Sequence, residues 1–402
     1  MARTGTLKPG WTLVKFGEVV KLNRDRSADP ASEGLERYVG LEHIDPGDLR
    51  VRRWGLISEG TTFTSRFRPG QVLFGKRRAY QRKVAVANFD GVCSGDIYVL
   101  EPKDDKLWPE LLPLICQSED FYEYAVGTSA GSLSPRTNWK SLKDYEFPLP
   151  PLDEQRAIVE ILRAADKSRE ALLDLGAKLD SLLTSEIHHV MAYGLAGGGG
   201  ACEGAHRHPH GWSVNRLEDI ATVDRGKFTH RPRNLPEFYG GDYPFVQTGD
   251  IASSGGLLTT HSQTLSEEGA RFSRSFPEGT ILMTIAAVIG YTAITTYETW
   301  CPDSVVGIIP KRGVDVRFLE YSLRTRQSYL ERMVATQTAQ KNINLAVLRP
   351  LGIAIPDLET QRRVVDRLST FDQALTRTRG RVESARALRR ILLGLAMSGA
   401  AN

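Results

Sequence analysis

The residues best suited to chemistry are seven cations that crowd one short stretch of the chain. Between positions 66 and 83 the sequence has no Asp or Glu, and three aromatic residues are interleaved with the cations. Arg and Lys neutralise phosphates, and Arg can also donate two hydrogen bonds to guanine. The stretch therefore predicts a nucleic-acid contact, and a solvated basic hairpin is the alternative. The cations are Arg66, Arg68, Lys76, Arg77, Arg78, Arg82 and Lys83.

Catalytic signatures are missing by comparison. We find no G-x-x-x-x-G-K-[ST] phosphate loop, no H-E-x-x-H metal helix and no Asn/Asp-Pro-Pro-aromatic tetrad. Cys202, His206, His208 and His210 lie in a glycine-rich stretch that would not pre-organise a metal site, and no second cluster completes one. We therefore predict a chain without catalytic residues, metal or cofactor of its own.

Composition limits the size and the setting of any binding surface. The 402 residues carry a net charge of +4, with 41% hydrophobic and 25% charged residues, which is typical of two or three globular domains. A nucleic-acid surface must then be a local patch. Four widely spaced cysteines, no signal peptide and no apolar run of about 18 residues predict a cytoplasmic protein that does not contact membranes.

The chain repeats itself. Gly10-Trp11-Thr12-Leu13 returns as Gly211-Trp212-Ser213-Val214, and Asn138, Leu142, Pro150, Gln155 and Asp166 return 206 residues later. All matched segments keep their order, with offsets between 201 and 209, which predicts two copies of one unit of about 200 residues. Two unrelated α/β domains with similar local signals are the alternative.

Each copy begins with short β-rich segments, and a helical segment follows at 109–126 and at 316–336. The fold class predicted is α+β, with two mixed-sheet domains. The predicted strands are Tyr38–Leu41, Gln71–Phe74, Val84–Asn88 and Asp96–Leu100 in the first copy, and Phe245–Thr248, Thr280–Ile285, Tyr291–Thr295 and Val305–Ile309 in the second.

A long helix is predicted at the end of each copy. Apolar residues recur in steps of three and four at 158, 161, 165, 168, 172, 175, 179 and 182, and again from 364 to 395. Two helices of about 40 residues, roughly 60 Å each, could bury these stripes against one another as an antiparallel coiled coil. Packing of each helix on its own domain is the alternative. Asp153 and Asp357 are the predicted N-caps.

The two copies differ in their polar loops. The segment of the second copy that matches the basic stretch, residues 285–297, has no cations, which lie instead at Lys227, Arg231, Arg233 and Lys341. One scaffold with two sets of loop side chains is what two readers of different DNA sequences would need.

The whole chain resembles the specificity subunit of a type I restriction–modification system. The resemblance rests on Phe147-Pro-Leu-Pro-Pro-Leu-Asp-Glu-Gln155-Arg156 and its counterpart Ile353-Ala-Ile-Pro-Asp-Leu-Glu-Thr-Gln361-Arg362, each of which opens a long helix. Lys76-Arg-Arg-Ala-Tyr80, Val246-Gln-Thr-Gly-Asp-Ile251 and Gln340-Lys-Asn-Ile343 also match. The chain departs from the family at Asp357, where a second proline is usual, and in its glycine-rich linker.

The resemblance implies the organisation and the partners of the chain. Target-recognition domains at 1–150 and 212–355 would each read one half of a split duplex DNA target. Conserved helices at 151–196 and 356–402, joined through a flexible linker at 197–211, would form the coiled coil that sets the spacer. Two modification subunits with S-adenosylmethionine would methylate adenines, and motor-nuclease subunits would use ATP and Mg²⁺ to cleave.

The candidate DNA contacts are polar loop residues of both domains. Gln155 and Gln361 at the helix starts are the candidate partner contacts, and a structural role is the alternative for them. A stand-alone nuclease or methyltransferase with degenerate motifs, and a scaffold without DNA affinity, are the competing hypotheses. The DNA candidates are Lys76, Arg77, Arg78, Tyr80, Arg82, Lys83, Ser134 and Arg136 in the first domain, and Arg231, Arg233, Gln247, Thr248, Gln340, Lys341 and Asn342 in the second.

Overall fold

The computed structural model of the chain describes residues 7–131, 134–195, 200–203, 206–230, 232–335 and 342–399. Its contacts define two compact units, Met1–Leu173 with Arg379–Asn402, and Asp174–Thr378. These boundaries fall inside the two long helices and not at the expected positions 150 and 355. Each half of a long helix belongs to the core of the unit that contains it, so the contact boundary cuts the helices.

The first unit carries the strands and short helices that precede the first long helix. In its described residues the strands are β1 Thr12–Lys15, β2 Val20–Asn23, β3 Arg37–Val39, β4 Gly55–Leu56, β5 Ser65–Phe67, β6 Val72–Gly75, β7 Val84–Val86, β8 Gly91–Cys93, β9 Ile97–Pro102 and β10 Glu146–Leu149. The helices are α1 Phe16–Val19, α2 Leu112–Ile115, α3 Glu119–Gly127, α4 Trp139–Leu142 and the long α5 Leu152–Tyr193.

Two four-stranded sheets form the body of this unit. One has the order β2-β9-β6-β7 and is antiparallel throughout. The other has the order β4-β3-β8-β5, in which β3 and β8 are parallel. All four residues of β6 are buried, as its Val-Leu-Phe-Gly sequence predicts for a central strand. Strand β6 thus delivers the residues that follow it to one fixed edge of the sheet.

The second unit has its own set of elements. Its described strands are β11 Gly200–Glu203, β12 His206–Pro209, β13 Ser213–Arg216, β14 Ala221–Arg225, β15 Tyr239–Phe245, β16 Leu257–Leu258, β17 Gln263–Leu265, β18 Arg274–Phe276, β19 Ile281–Thr284, β20 Thr292–Thr295, β21 Thr299–Cys301, β22 Val305–Pro310 and β23 Gly352–Ile355. Its helices are α6 Leu217–Ile220, α7 Thr248–Ser253, α8 Glu267–Phe272, α9 Val316–Arg324, α10 Gln327–Ala335, α11 Leu345–Leu348 and the long α12 Leu358–Met397, whose last part, from 379, lies in the first unit.

The internal repeat is visible in the strand order. The sheet β14-β22-β19-β20-β16 repeats the first unit's order β2-β9-β6-β7 and adds one strand. The sheet β17-β15-β21-β18 repeats β4-β3-β8-β5, including the parallel pair in its centre. The short ladders β1-β10 and β13-β23 also correspond. The predicted α+β class and the repeat are therefore confirmed.

Several local expectations were wrong. The segment expected as one helix over 109–126 is interrupted at Ser118, which caps α3, and that over 316–336 is interrupted after Arg324. The strand expected over 245–248 ends at Phe245, because the Asp250 side chain accepts a hydrogen bond from the Gln247 N–H and helix α7 begins at Thr248. Side-chain capping of this kind is invisible to a count of β-branched residues.

The expected flexible linker at 197–211 contains regular structure. Its described residues include β11 and β12, which pair antiparallel from Gly200↔Pro209 to Glu203↔His206. The glycine content suggested flexibility, but an antiparallel ladder is held by main-chain hydrogen bonds, for which small side chains are no obstacle.

The two long helices run antiparallel in each unit. In the first unit Arg389 Nε of α12 donates to Asp166 Oδ1 of α5 at 2.6 Å, and Leu393 and Met397 share a core with Leu162 and Val159. In the second unit Arg367 Nε of α12 donates to Glu186 Oε1 of α5 at 2.6 Å. The predicted antiparallel association is thus present, and the coiled-coil supercoil stays a prediction.

The apolar stripe on α5 lies one residue away from its predicted phase. Leu162 and Leu183 are buried, whereas Ile161 and Leu182 are 55% and 56% exposed. Adjacent apolar residues make the phase ambiguous in the sequence, because either row satisfies the seven-residue spacing. The buried row also contains Gln155, whose polarity excluded it from the predicted stripe.

The two predicted N-caps differ. Asp357 accepts hydrogen bonds from the Thr360 N–H at 3.0 Å and the Thr360 hydroxyl at 2.8 Å, so it caps α12. Asp153 lies inside the first turn of α5, because that helix already begins at Leu152, directly after Pro151. Within the described ranges, no helix combines the length and apolar character that a membrane crossing requires.

Candidate nucleic-acid interface

The last part of the basic stretch, residues 76–83, connects β6 to β7, whereas Arg66 lies in β5 and pairs with Glu33, and Arg68 pairs with Asp25. The strands pair up to Phe74↔Val84, and the connection that follows Gly75 begins with Lys76, Arg77 and Arg78. Arg78 has a φ of 53°, in the left-handed region that residues with a Cβ rarely occupy. Its N–H donates to the Pro135 carbonyl at 2.8 Å, which ties the turn to the loop that follows α3. Such backbone strain is often found at functional sites.

One carboxylate organises the cations of this turn. Asp96 Oδ1 accepts from Arg136 Nε at 3.0 Å, and Asp96 Oδ2 accepts from Arg77 Nη1 at 3.3 Å. The Ser134 hydroxyl accepts from Arg77 Nε at 2.7 Å and from Arg78 Nε at 3.3 Å. Arg77, Arg78, Ser134 and Arg136 were predicted separately, and the structure connects them, since Asp96 holds Arg77 and Arg136 while Ser134 holds Arg77 and Arg78. We call Lys76, Arg77, Arg78, Ser134, Arg136 and Asp96 the arginine turn.

Lys76 and Tyr80 lie in the same connection between β6 and β7. The Lys76 ammonium lies 4.7 Å from the centre of the Tyr98 ring, and its partial burial lowers the pKa of Lys76 although Asp96 opposes the change. Tyr80 extends from the same connection and is 54% exposed. Lys76 is thus held within the arginine turn, and Tyr80 lies in the same connection.

Arg82 and Lys83 are engaged elsewhere in the first unit. Arg82 forms a two-point ion pair with Glu119 at the start of α3 and covers the Tyr122 ring, and the hydrogen bond to Glu119 raises the pKa of Arg82. Lys83 Nζ donates to the Leu41 carbonyl at 2.6 Å. The structure therefore separates these two candidates from the arginine turn, and their contact with DNA stays a prediction.

The described candidates of the second unit lie at three places. Gln247 precedes α7, and its Nε2 donates to Gln263 Oε1 at 3.1 Å, while Thr248 opens that helix. Arg233 Nη2 forms an ion pair with Asp303 Oδ2 at 2.5 Å, close to the end of β21. Asn342 is exposed, and Arg231, Gln340 and Lys341 lie outside the described residues. No single cluster like the arginine turn gathers the described candidates of this unit.

The two glutamines expected to face partners are structural. Gln155 is 1% exposed: its Oε1 accepts from the Trp108 N–H at 2.7 Å, and its Nε2 donates to the Lys106 and Pro150 carbonyls, both at 2.8 Å. Gln361 is equally buried and repeats this pattern with the Asp315 N–H and two carbonyls in the second unit. The partner assignment was wrong, because a buried amide that satisfies three main-chain groups cannot reach another chain.

The second unit contains a buried cluster of charged side chains, formed by Glu320 and Arg324 of α9 and Asp372 of α12. Glu320 is fully buried and accepts from Arg324 Nε at 2.7 Å and from Thr292 Oγ1 at 2.8 Å, and burial raises the pKa of Glu320. Arg324 Nη1 also lies 3.7 Å from Asp372 Oδ1 on α12. The cluster is enclosed by protein on all these sides, so we regard it as a structural connection between α9 and α12.

One spacing that is typical of a catalytic serine is structural here. The sequence contains a G-x-S-x-G spacing at 127–131, but Ser129 follows helix α3 and its hydroxyl donates to the Ala125 carbonyl at 2.7 Å, so it is no nucleophile elbow. In the described part of the chain, no group of three or more His, Cys, Asp or Glu side chains could hold a metal ion.

Asp96 is the residue of the candidate site that the sequence did not indicate. In the sequence Asp96 lies 13 positions beyond the last cation of the basic stretch and has no acidic neighbour to mark it. A usable signal existed, because several arginines that converge on one strand end need a counter-charge to fix their orientation.

The match to a known protein family occurs twice along the chain, in agreement with the internal repeat of the fold. A sequence profile of the type I restriction modification DNA specificity domain matches twice, at residues 9–175 and 209–383. The MjaIX specificity subunit of a type I restriction enzyme from Methanocaldococcus jannaschii is 29% identical over 172 residues, which are 42% of this chain and 39% of that protein. The chain thus spans about two fifths of the length of this relative.

Two further matches extend over the whole chain. The MjaVIII specificity subunit from the same organism is 21% identical over 438 residues, covering 97% of this chain and 92% of that protein. A chain from a solved structure concerned with complex assembly and conformational transition of the type I R-M system has a TM-score of 0.61 and 20% identity, covering 97% of this chain and 98% of that one. The structural match supports the fold alone.

Proposed function

The chain belongs to the type I restriction modification DNA specificity family, and we propose from this premise that it reads a two-part sequence of duplex DNA. Each copy of the repeated domain would read one half-site. In this role the chain is non-catalytic. Modification subunits would supply S-adenosylmethionine chemistry, and motor-nuclease subunits would supply ATP- and Mg²⁺-dependent cleavage. Since its ligand is cellular DNA, we place the chain in the cytoplasm.

The arginine turn is the observation that carries this proposal. The turn contains four cationic side chains and one carboxylate, so it keeps a net positive charge for phosphates. Two of the guanidinium groups are held by Asp96, and a guanidinium of fixed orientation can donate two hydrogen bonds to guanine O6 and N7. The turn thus combines affinity for the DNA backbone with the means to recognise a base.

The experiment is a binding measurement on the assembled complex. The chain would be purified with its modification subunit, and the methylated motif of a host carrying the system would define the cognate duplex. We expect tight binding to this duplex and weaker binding to a scrambled one, with affinity that falls steeply as salt rises. Equal binding to both duplexes at every salt concentration would refute sequence reading. DNA turnover by the purified chain alone would refute the non-catalytic role.

The same proposal needs a surface for the modification subunit. Leu388, Ile391 and Leu395 lie on one face of α12 within the first unit and are 54%, 56% and 62% exposed. Spacings of three and four residues put them in one apolar strip, and such strips mark protein contacts. We assign this strip to a modification subunit, because the buried Gln155 and Gln361 cannot serve.

Assembly of the complex tests the strip. Replacing Leu388 and Leu395 by serine should weaken association with the modification subunit at least tenfold by analytical ultracentrifugation. Replacing Leu13, which is 56% exposed on β1, provides the matched loss of one exposed leucine away from this strip. Association as tight as that of the unmodified chain would show that the subunit docks elsewhere.

A further inference from the structure

The second unit has a turn in the same structural position as the arginine turn. Strands β6 and β19 hold the same place in their sheets. The first residue after β6 is Lys76, whose N–H donates to the Asp96 carbonyl at 2.9 Å. The first residue after β19 is Ile285, whose N–H donates to the Ser304 carbonyl at 3.0 Å. These main-chain bonds fix the start of both turns.

Two more features confirm the correspondence. The Lys76 carbonyl accepts from the Thr137 N–H at 2.9 Å, and the Ile285 carbonyl accepts from the Ile343 N–H at 3.0 Å. Arg78 and Ala287, each two residues further on, both have left-handed backbones, with φ of 53° and 63°. The two turns therefore share one backbone design and differ in their side chains.

The side chains of the second turn are apolar and accessible. From 285 to 297 the sequence has no charged residue, whereas the first turn begins Lys-Arg-Arg. Ala287 is exposed, and Val288 and Tyr291 are 39% and 38% exposed. The turn is held in place by the Gly290 N–H, which donates to the Thr284 carbonyl at 2.9 Å, and by the Tyr291 N–H, which donates to Thr284 Oγ1 at 3.0 Å. We call residues 286–291 the apolar turn.

Resting on the proposed function, we propose that the apolar turn reads DNA by contacting the C5-methyl groups of thymine in the major groove. A turn without cations adds little to phosphate binding, and it has no guanidinium or ammonium group for guanine. The thymine methyl is the apolar group that the major groove presents, and small apolar or aromatic side chains are suited to contact it. One scaffold would then read guanine with its first turn and thymine with its second.

Deoxyuridine provides the test, since it differs from thymidine only by this methyl group. Each thymine of the cognate duplex would be replaced in turn by deoxyuridine, and affinity would be measured with the chain assembled with its modification subunit. We expect about a fourfold loss at one or two positions of a single half-site, the effect of removing one buried methyl group. At those positions Val288→Ser should bind the two duplexes equally.

Matched controls separate this inference from the proposed function. Val214→Ser removes a valine of the second unit that is 42% exposed on β13, and it should keep the fourfold preference for thymine. If the complex binds a specific duplex but no deoxyuridine substitution weakens binding, the methyl contact is refuted while DNA reading stands. An apolar turn wedged into the minor groove would give that result too. If no specific duplex is bound, the proposed function itself fails.

Discussion

Replacing Asp96 by asparagine is the sharpest test of the arginine turn, because the change keeps the shape of the side chain and removes its charge. Asp96 accepts one hydrogen bond from Arg77 and one from Arg136. Asparagine keeps one acceptor oxygen, but its NH₂ group faces one of the two guanidinium groups. Both of these groups are donors, so no hydrogen bond can form between them. At least one guanidinium therefore loses its fixed orientation.

The expected magnitude follows from these two contacts. A hydrogen bond to a charged group contributes about 1.5–3 kcal/mol, and the half-exposed side chain of Arg136 places its bond at the low end. A misplaced guanine contact costs about 1–3 kcal/mol of discrimination. We expect Asp96→Asn to lower affinity for the cognate duplex about tenfold. Affinity for a scrambled duplex should rise at low salt, because the net charge of +4 increases by one.

The assay compares both duplexes over a range of KCl concentrations by fluorescence anisotropy, with the chain assembled with its modification subunit. Asp48→Asn is the matched control, because Asp48 Oδ2 pairs with Arg52 Nε at 2.6 Å in the same unit but outside the turn. The control makes the same change in net charge and should keep the ratio of specific to non-specific affinity. The reasoning fails if Asp96→Asn keeps that ratio within twofold, or if both variants lower it equally.

Three further predictions concern the scaffold. Gln155→Ala leaves the Trp108 N–H and two carbonyls unsatisfied and should lower the unfolding free energy of its unit by about 3 kcal/mol in urea titrations. The control Lys167→Ala, at an exposed position of the same helix, should change this free energy by less than about 0.5 kcal/mol, and equal effects would contradict the buried role of Gln155. Burial raises the pKa of the Cys93 thiol to about 12, so iodoacetamide at pH 8 should label a Cys202→Ser variant only after unfolding. Rapid labelling of the folded variant would disprove the protection of its buried thiols. Inserting seven helical residues after position 173 and another seven after position 378 adds about 10 Å to each long helix. The methylated motif should then keep both half-sites and gain about three base pairs between them. An unchanged spacer would show that the helices do not set its length.

The sequence predicted the architecture well, since the architecture depends on patterns that repeat. The mixed-sheet class, the internal repeat and the antiparallel long helices follow from residue spacing, and a second copy of each pattern tests the first, whereas the order of the strands was not predicted. Phase and caps were less accessible. Adjacent apolar residues such as Leu182 and Leu183 allow two phases for one stripe, and the strand predicted through Thr248 ended early because of the side chain of Asp250.

The candidate site was predictable in composition but not in geometry. Arg77 and Arg136 are 59 positions apart in sequence, and only the folded loop after α3 brings them to the same carboxylate. Conversely, the polarity of Gln155 suggested a partner contact at the start of a helix. The sequence does not show the main-chain groups that Gln155 contacts, one of which is the carbonyl of the distant Lys106. Contacts between distant segments decide both outcomes, and no local pattern encodes them.

The way both turns are anchored shows how, under the proposed function, one scaffold would serve two specificities. Each turn is positioned by main-chain hydrogen bonds at its first residue, Lys76 or Ile285, and by a left-handed residue two positions later. None of these constraints depends on the charge of the side chains that the turn carries. Substitutions at the exposed positions can therefore change which base edge is contacted while the backbone keeps its place. The cost of a left-handed Arg78 or Ala287, about 1 kcal/mol, is then a property of the scaffold and not of either specificity.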